Sequence, residues 1–572
     1  MSRSPRILRL ALFALLTVAG SAGAAGERPI EVRIEIDDRS QLEHLTRLVS
    51  VSDVRGNQVT AVVIPHQLDL LRDAGFSWRA VAKREMTQDE MCPIGWVDDP
   101  ARSWDCYPTY AQYVGLMERF SADYPDLCRL ESLGPTSNRV RPHDLWALRI
   151  SDFPDIEEAE PEVMLTSTMH GNEATGFVLM LRLIHELLEG YGVDPQTTAL
   201  VDDLEIWINP NANPDGTYFA GDDTVAGAIR FYSTPEGDAT AIDPNRNFPD
   251  PDDGDHPDGN PWWAETQAMM AFAESHTTTL SANLHDGSEV VNYPWDTWER
   301  RHVDDEYLIS ISRAYADLAQ ALSPADYMTD QSNGITNGWD WYPVAGGRQD
   351  FMTFWHSARE VTIELSRTKT PPAAELGDFW TWNRNALLDF MGRAREGVHG
   401  IVTGPDGEPL DAVIELVGHD SVIDNSFVAT DPDVGDYHRL VLPGSYVVRI
   451  SANGFHSTVI DNVTVTSEAP TIVDAVLQPI TATVTGRVHT PAAGWPVAGA
   501  RVELLGTGFS TTTAADGSFE LDDVPPGEYT IRISAEGYQT ADKARVIAAP
   551  TTALDVPLIP TSFRRVTVFE PE

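Results

Sequence analysis

VMLTSTMHGNEATGFVLMLRLIHELLEG, residues 163–190, carries the decisive reading of this 572-residue chain. VMLTST is a short, largely apolar run of the kind that forms a buried strand. Behind it, Phe177, Val178, Leu181, Ile184 and Leu188 recur with helical spacing. Between strand and helix stands His-Gly-Asn-Glu, with His170 at the strand's end and Glu173 expected in the first helical turn. An imidazole and a carboxylate three residues apart share a helical face and can converge on one metal ion. In a chain with fifteen histidines a His-x-x-Glu string arises by chance, so its weight depends on its neighbours.

The neighbours supply the rest of a metal site. TLSANL reads as a strand and runs directly into His285. Two ligands close in sequence plus one distant imidazole are how a protein holds zinc while keeping a fourth position open for water or substrate. LEIWI and VTIEL are further strands, and strand-like and helical patterns alternate from about 105 to 395, which argues for an α/β core. Open α/β sheets bind ligands beyond the carboxyl ends of their strands, where these polar residues fall.

NPNANPDG (209–216) and DPNRNFP (243–249) are loop-like, and with Arg230 they place two arginines near the same sheet edge. Arg246, flanked by Asn245, suits a bidentate clamp on a carboxylate. Arg230 suits polarisation of a carbonyl and stabilisation of an oxyanion. GITNGWDWYPVAGGRQDF (334–351) sets Tyr342 in a glycine-rich stretch, and REVTIELS (359–366) sets Glu364 in an apolar strand. A carboxylate there is either an edge residue or a group whose pKa burial tunes, and a glutamate beside zinc-bound water is the arrangement for peptide hydrolysis.

The flanking regions read differently. MSRSPRILR, an apolar run and SAGAA form a secretory signal at 1–25, with cleavage near Ala24 or Ala25. No later stretch approaches a membrane-helix length, so a secreted protein, extracellular or periplasmic, is expected without integral membrane association. In an oxidising compartment Cys92, Cys106 and Cys128 imply one disulfide and one free thiol. TYAQYVGLMERFSADYP predicts a Thr109-capped helix that separates Cys106 from Cys128, leaving Cys92 as the shared partner of one or the other. The net charge of -47 repels nucleic acid and anionic lipid. Residues 26–90 carry strand patterns IEVRIEI and VTAVVI and a helix ended by Gly75, a small α+β unit that is either an inhibitory pro-segment or a permanent accessory domain. Beyond 397 an internal repeat appears: Pro443 and Pro526, Ser451 and Ser534, and Gly454 and Gly537 recur at one constant spacing, as two β-sandwiches at 397–479 and 480–560. Neither repeat holds a catalytic cluster, and the partners of both are left open. DDGDHPDG (252–259) reads as a solvated acidic loop, with calcium binding the alternative.

Taken in order, these motifs resemble the zinc metallocarboxypeptidases of the carboxypeptidase A and D type, nearest the regulatory branch and its secreted bacterial relatives. The resemblance implies a mixed-sheet α/β catalytic domain over 105–395 followed by transthyretin-type, regulatory-like sandwiches. It implies one Zn²⁺ per catalytic domain, held by His170, Glu173 and His285, and action on peptide or protein C-termini. By similarity Arg230 stabilises the oxyanion, Asn245 and Arg246 hold the terminal carboxylate, Tyr342 caps the site and Glu364 is the general base. Asp296 and Gln349 match positions that receive a C-terminal Lys or Arg. Two departures stand out. Asp286 follows His285 where relatives usually have Gly, and Arg348 replaces a Met beside Gln349. An Arg348 pointing into the pocket would neutralise Asp296 and remove or reverse a basic preference. The competing readings are a non-catalytic peptide-binding or adhesive protein and a peptidase of cell-wall or γ-linked substrates on the same scaffold.

Overall fold

The computed structural model describes residues 28–561 other than 83, 468 and 492; the segment expected to be a secretory signal lies outside the described residues. An N-terminal four-stranded sheet, in the order β2-β3-β1-β4, is built from β1 (Ile30–Glu35), β2 (Ser50–Arg55), β3 (Gln58–Val63) and β4 (Ser77–Ala80). The helices Leu42–Leu48 and Gln67–Asp73 accompany it, and Gly75, at φ 86, ends the second by taking a left-handed backbone that side chains disfavour.

The central sheet has eight strands: β5 (Cys128–Pro135), β6 (Asp144–Ile150), β7 (Glu162–Ser167), β8 (Glu205–Asn209), β9 (Thr278–His285), β10 (Val290–Tyr293), β11 (Ile335–Asn337) and β12 (Arg359–Glu364). Their order is β11-β10-β12-β9-β7-β8-β6-β5, and the inner four, β12, β9, β7 and β8, run parallel. Every residue of these four is buried, because helices cover both faces. On one side Val163 and Leu165 meet the helices Tyr110–Asp123, Thr175–Gly190, Asp305–Ala321 and Leu376–Gly392; on the other Met164 meets Ala264–Ser275 and Arg348–His356. The mixed α/β class expected from the sequence is what forms.

Thr109 caps Tyr110–Asp123 as expected, in a capping box with Gln112. Cys92 and Cys106 form the disulfide, with Cα atoms 4.8 Å apart, and Cys128 is free and buried. Each repeat packs two small sheets around its own apolar core. The first repeat docks on the domain of the central sheet through buried charges: Asp304 pairs with Arg359 of β12 at 2.7 Å and with Arg439 of the repeat at 3.0 Å. Among the described residues no helix is long and apolar enough to cross a membrane.

Candidate active site

β7 and β9 are parallel neighbours, so the residues following both emerge at one edge. His285 is the last residue of β9, and the chain leaving β7 passes through Thr168, at φ 61, to present His170. Glu173 is not in the first helical turn, as the spacing suggested: the helix begins at Thr175, and Glu173 is reached by a tight turn in which its N–H donates to the His170 carbonyl at 2.9 Å. That turn explains Gly171. A Cβ there would lie 2.3 Å from the carbonyl carbon of Gly216 in the NPDG turn beneath it.

His170 Nδ1, His285 Nδ1 and Glu173 Oε2 face one another, with Nδ1 to Nδ1 at 3.0 Å and Glu173 Oε2 at 2.9 and 2.8 Å from the two rings. All three residues are buried. Ligand bonds near 2 Å on a tetrahedral zinc ion call for donor atoms roughly 3.3 Å apart, so this donor set fits zinc. Burial pushes His285 down to about 4, keeping it in the neutral, ligating form. Burial alone would raise Glu173, but the charges of His170 and Arg230 outweigh it and hold the carboxyl well below its ordinary range.

An outer layer orients these donors. Asp243 Oδ1 lies 2.9 Å from His170 Nε2, the carboxylate–histidine pairing that fixes a ligand's tautomer. Arg230 donates from Nη1 to Glu173 Oε1 at 2.6 Å and from Nε to Asp243 Oδ2 at 3.2 Å. Asp286 Oδ2 accepts the Thr175 N–H at 2.9 Å, at the start of the helix that follows Glu173, and its Oδ1 is buried without a hydrogen-bond partner. Sequence reasoning missed these roles for Asp243 and Asp286. An acid two residues before Asn245 and an acid in place of glycine were the available signals.

Glu364 ends β12 in register with His285 on β9. Its Oε2 is buried without a hydrogen-bond partner, and burial reinforced by the Glu173 charge holds it well above the usual carboxylate range. Asn245, Tyr342 and Asp296 line the same cleft as His170, His285, Arg230 and Glu364. Asp296 Oδ1 accepts from Asn292 at 2.9 Å and Gln349 at 3.2 Å, and burial raises this carboxyl to about 6. Gly338 is required beside it, since a Cβ there would meet Asp296 Oδ1 at 1.7 Å. Arg348 does not join them. It is buried against Thr166 and pairs with Glu360 Oε2 at 3.1 Å, so its charge is spent away from Asp296. The acidic 252–259 loop contributes no metal-binding group among the described residues.

β2 of the N-terminal unit lies across this cleft. Ser50 Oγ accepts from Arg230 Nε at 2.6 Å and bonds Asp243, while Arg246 Nη2 donates to the Val51 carbonyl at 3.3 Å. Trp341, Tyr342 and Val344 pack into the core of the N-terminal unit. The space left beside the metal donors, counted as room for the centre of a water-sized sphere, is ≈ 20 Å³, enough for about one or two waters.

Residues 113–386 match the family described as zinc carboxypeptidase, and residues 397–478 and 483–559 each match the carboxypeptidase regulatory-like domain. Human carboxypeptidase D is 37% identical over 380 residues, covering 62% of this chain and 25% of that protein. The chain thus spans about a quarter of the length of the carboxypeptidase D relatives it matches. The human carboxypeptidase N catalytic chain is 34% identical over 403 residues, covering 64% of this chain and 84% of that one. Carboxypeptidase A from Helicoverpa armigera superposes with a TM-score of 0.50 at 16% identity, covering 64% of this chain and 97% of that one, a likeness of fold.

Proposed function

This chain belongs to the zinc carboxypeptidase family, and from that premise we propose that it is an exported metallocarboxypeptidase releasing single residues, basic ones preferentially, from peptide or protein C-termini. The observation that carries the reading is the convergence of His170, Glu173 and His285 beside the unpartnered carboxylate of Glu364. A purely peptide-binding protein would have no use for that buried acid.

Bound by His170, Glu173 and His285, zinc supplies a Lewis acid that polarises the scissile carbonyl and acidifies water. Glu364 takes the proton from the attacking water and delivers it to the departing amine, a role open to its buried, unpartnered Oε2 in the same cleft as His170 and His285. Arg230, held by Glu173 and Asp243, keeps a guanidinium fixed where negative charge develops on the carbonyl oxygen. Arg246 and Asn245 clamp the terminal carboxylate, which sets the scissile bond one residue away. Tyr342 closes over the bound residue. Asp296 and Gln349 receive a Lys or Arg side chain; with Arg348 committed to Glu360, Asp296 keeps its charge for the substrate.

The N-terminal unit acts as an inhibitory pro-segment in this reading. Ser50 and Val51 occupy the arginines that the substrate needs, and the residual cavity admits no peptide. Residues 84, 85 and 87–89, in the connection to the catalytic domain, are exposed and open to a protease.

The test is digestion of peptides differing only in their last residue, by chain freed of its N-terminal unit, with and without chelator. Release of single C-terminal Arg or Lys, stopped by chelator and restored by Zn²⁺, is expected. Internal cleavage, or equal turnover of amidated peptides, would overturn the reading.

A further inference from the structure

The parallel strands that present the catalytic donors also have amino-terminal ends, and a second set of donors gathers there. Glu162 opens β7, Glu205 opens β8, and His276 stands two residues before β9. Glu162 is the register partner of both Glu205 and Thr278, so the three residues come from adjacent strand starts. One donor atom from each lies within 4.8 Å of the others. A six-residue strand at ~3.3 Å per residue places this cluster roughly 20 Å from the catalytic donors, at the opposite edge of the sheet.

We propose that Glu162, Glu205 and His276 form a second, structural site for a divalent metal ion of the zinc class. The cluster is more than a group of acids. Glu162 is 6% exposed, and its Oε1 accepts the Thr277 N–H at 2.6 Å while its Oε2 is buried with no hydrogen-bond partner. A buried carboxylate oxygen left bare is costly and calls for a cation. The neighbouring Arg149 does not fill that need, because its hydrogen bonds go to Glu205, Glu157 and the Ile156 carbonyl.

His276 is held in a ligating form. Its Nδ1 lies 2.9 Å from the Phe272 carbonyl, which can only accept, so Nδ1 carries the proton and Nε2 the lone pair. Stacking on Phe272 at 3.9 Å and an edge contact with Trp207 fix the ring. Trp207 Nε1 donates to Glu205 Oε1 at 2.6 Å, orienting that carboxylate as well. These are the supporting contacts that metal ligands characteristically have. One imidazole and two carboxylates select a zinc- or manganese-like ion over calcium, which takes six to eight oxygens. Thr277 carries the site to the first sandwich, donating from Oγ1 to Asp431 at 3.3 Å, so an ion here would stiffen the junction between catalytic domain and repeat.

The experiment is metal analysis of the full-length chain after dialysis against Zn²⁺ and then metal-free buffer. The wild type is expected to retain two ions, and Glu162→Gln and His276→Gln one fewer each. His170→Asn should lose the other ion and retain this one. A wild-type count of one overturns the proposal, as does a wild-type count unchanged in both Glu162→Gln and His276→Gln. Near-UV circular dichroism identifies a variant that fails to fold, and the remaining variant with the wild-type count then decides.

Discussion

The backbone carbonyl of Val51 accepts a hydrogen bond from Arg246 Nη2 at 3.3 Å. A residue of the N-terminal unit thus holds the guanidinium that a substrate's terminal carboxylate would need, and Ser50 does the same to Arg230 at 2.6 Å. Cutting within the 84–89 connection and removing the unit should therefore raise kcat/KM by about tenfold or more, the equivalent of ~1.4 kcal/mol. Hydrolysis of a chromogenic C-terminal-arginine peptide before and after limited proteolysis measures it. An intact chain already at full rate would contradict the inhibitory reading.

Glu364→Gln should keep its zinc and lose turnover. The substitution removes a base and no ligand, so metal content stays at the wild-type value while kcat falls by about 10²–10⁴-fold. Retained turnover at full metal content would remove Glu364 from the chemistry.

Arg246→Ala should discriminate between substrates. A peptide with a free C-terminus loses a charged pair worth about 2 kcal/mol or more, roughly thirtyfold in kcat/KM, whereas an amidated peptide loses little. Equal losses on both would argue against a carboxylate clamp.

Selectivity for basic residues should depend on pH through Asp296. Burial raises this carboxyl to about 6, so it is charged above that pH and neutral below it. The ratio of kcat/KM for Arg-ended over Leu-ended peptides should therefore rise as pH passes upward through about 6. In Asp296→Asn the ratio should be low and flat. A wild-type ratio without pH dependence would place the basic side chain elsewhere.

The docking of the first sandwich should show in acid stability. Burial opposes ionisation of Asp304, yet Arg439 and Arg359 hold its carboxyl well below the ordinary aspartate range. A depressed folded-state pKa contributes stability that is complete above the unfolded value and is lost as pH falls below 3.8 toward the folded value. Asp304→Asn leaves buried Arg359 without a carboxylate, while Arg439 keeps Asp420, and should cost about 3–5 kcal/mol in denaturant melts near neutral pH. A wild-type-like melt would mean that the pair does not hold the junction.

Much of the catalytic domain was legible because its signals are local. VMLTST, LEIWI, TLSANL and VTIEL are apolar runs that only a doubly covered sheet buries, and all but LEIWI lead to a candidate donor or base at their carboxyl ends. The Glu173 turn was misread as helix because the helical stripe begins only four residues later and local periodicity does not mark where a helix starts. Arg348 was ambiguous for a different reason. Its direction depends on Glu360, which is twelve residues away in sequence and faces it only after the helix Arg348–His356 folds back on β12.

The order of residue types alone pointed to the groups proposed for the site, since strand ends and loop motifs follow from periodicity and turn chemistry and, taken in order, resemble those of the zinc carboxypeptidases. What lies on top of that constellation was decided only in three dimensions. Nothing in Ser50-Val51 marks an inhibitor, because a serine hydroxyl and a backbone carbonyl are generic groups. They gain meaning when packing of Trp341, Tyr342 and Val344 into the N-terminal core seats β2 over the arginines. The Glu162, Glu205 and His276 cluster likewise exists only through register, because parallel pairing brings together strand starts that the sequence keeps far apart.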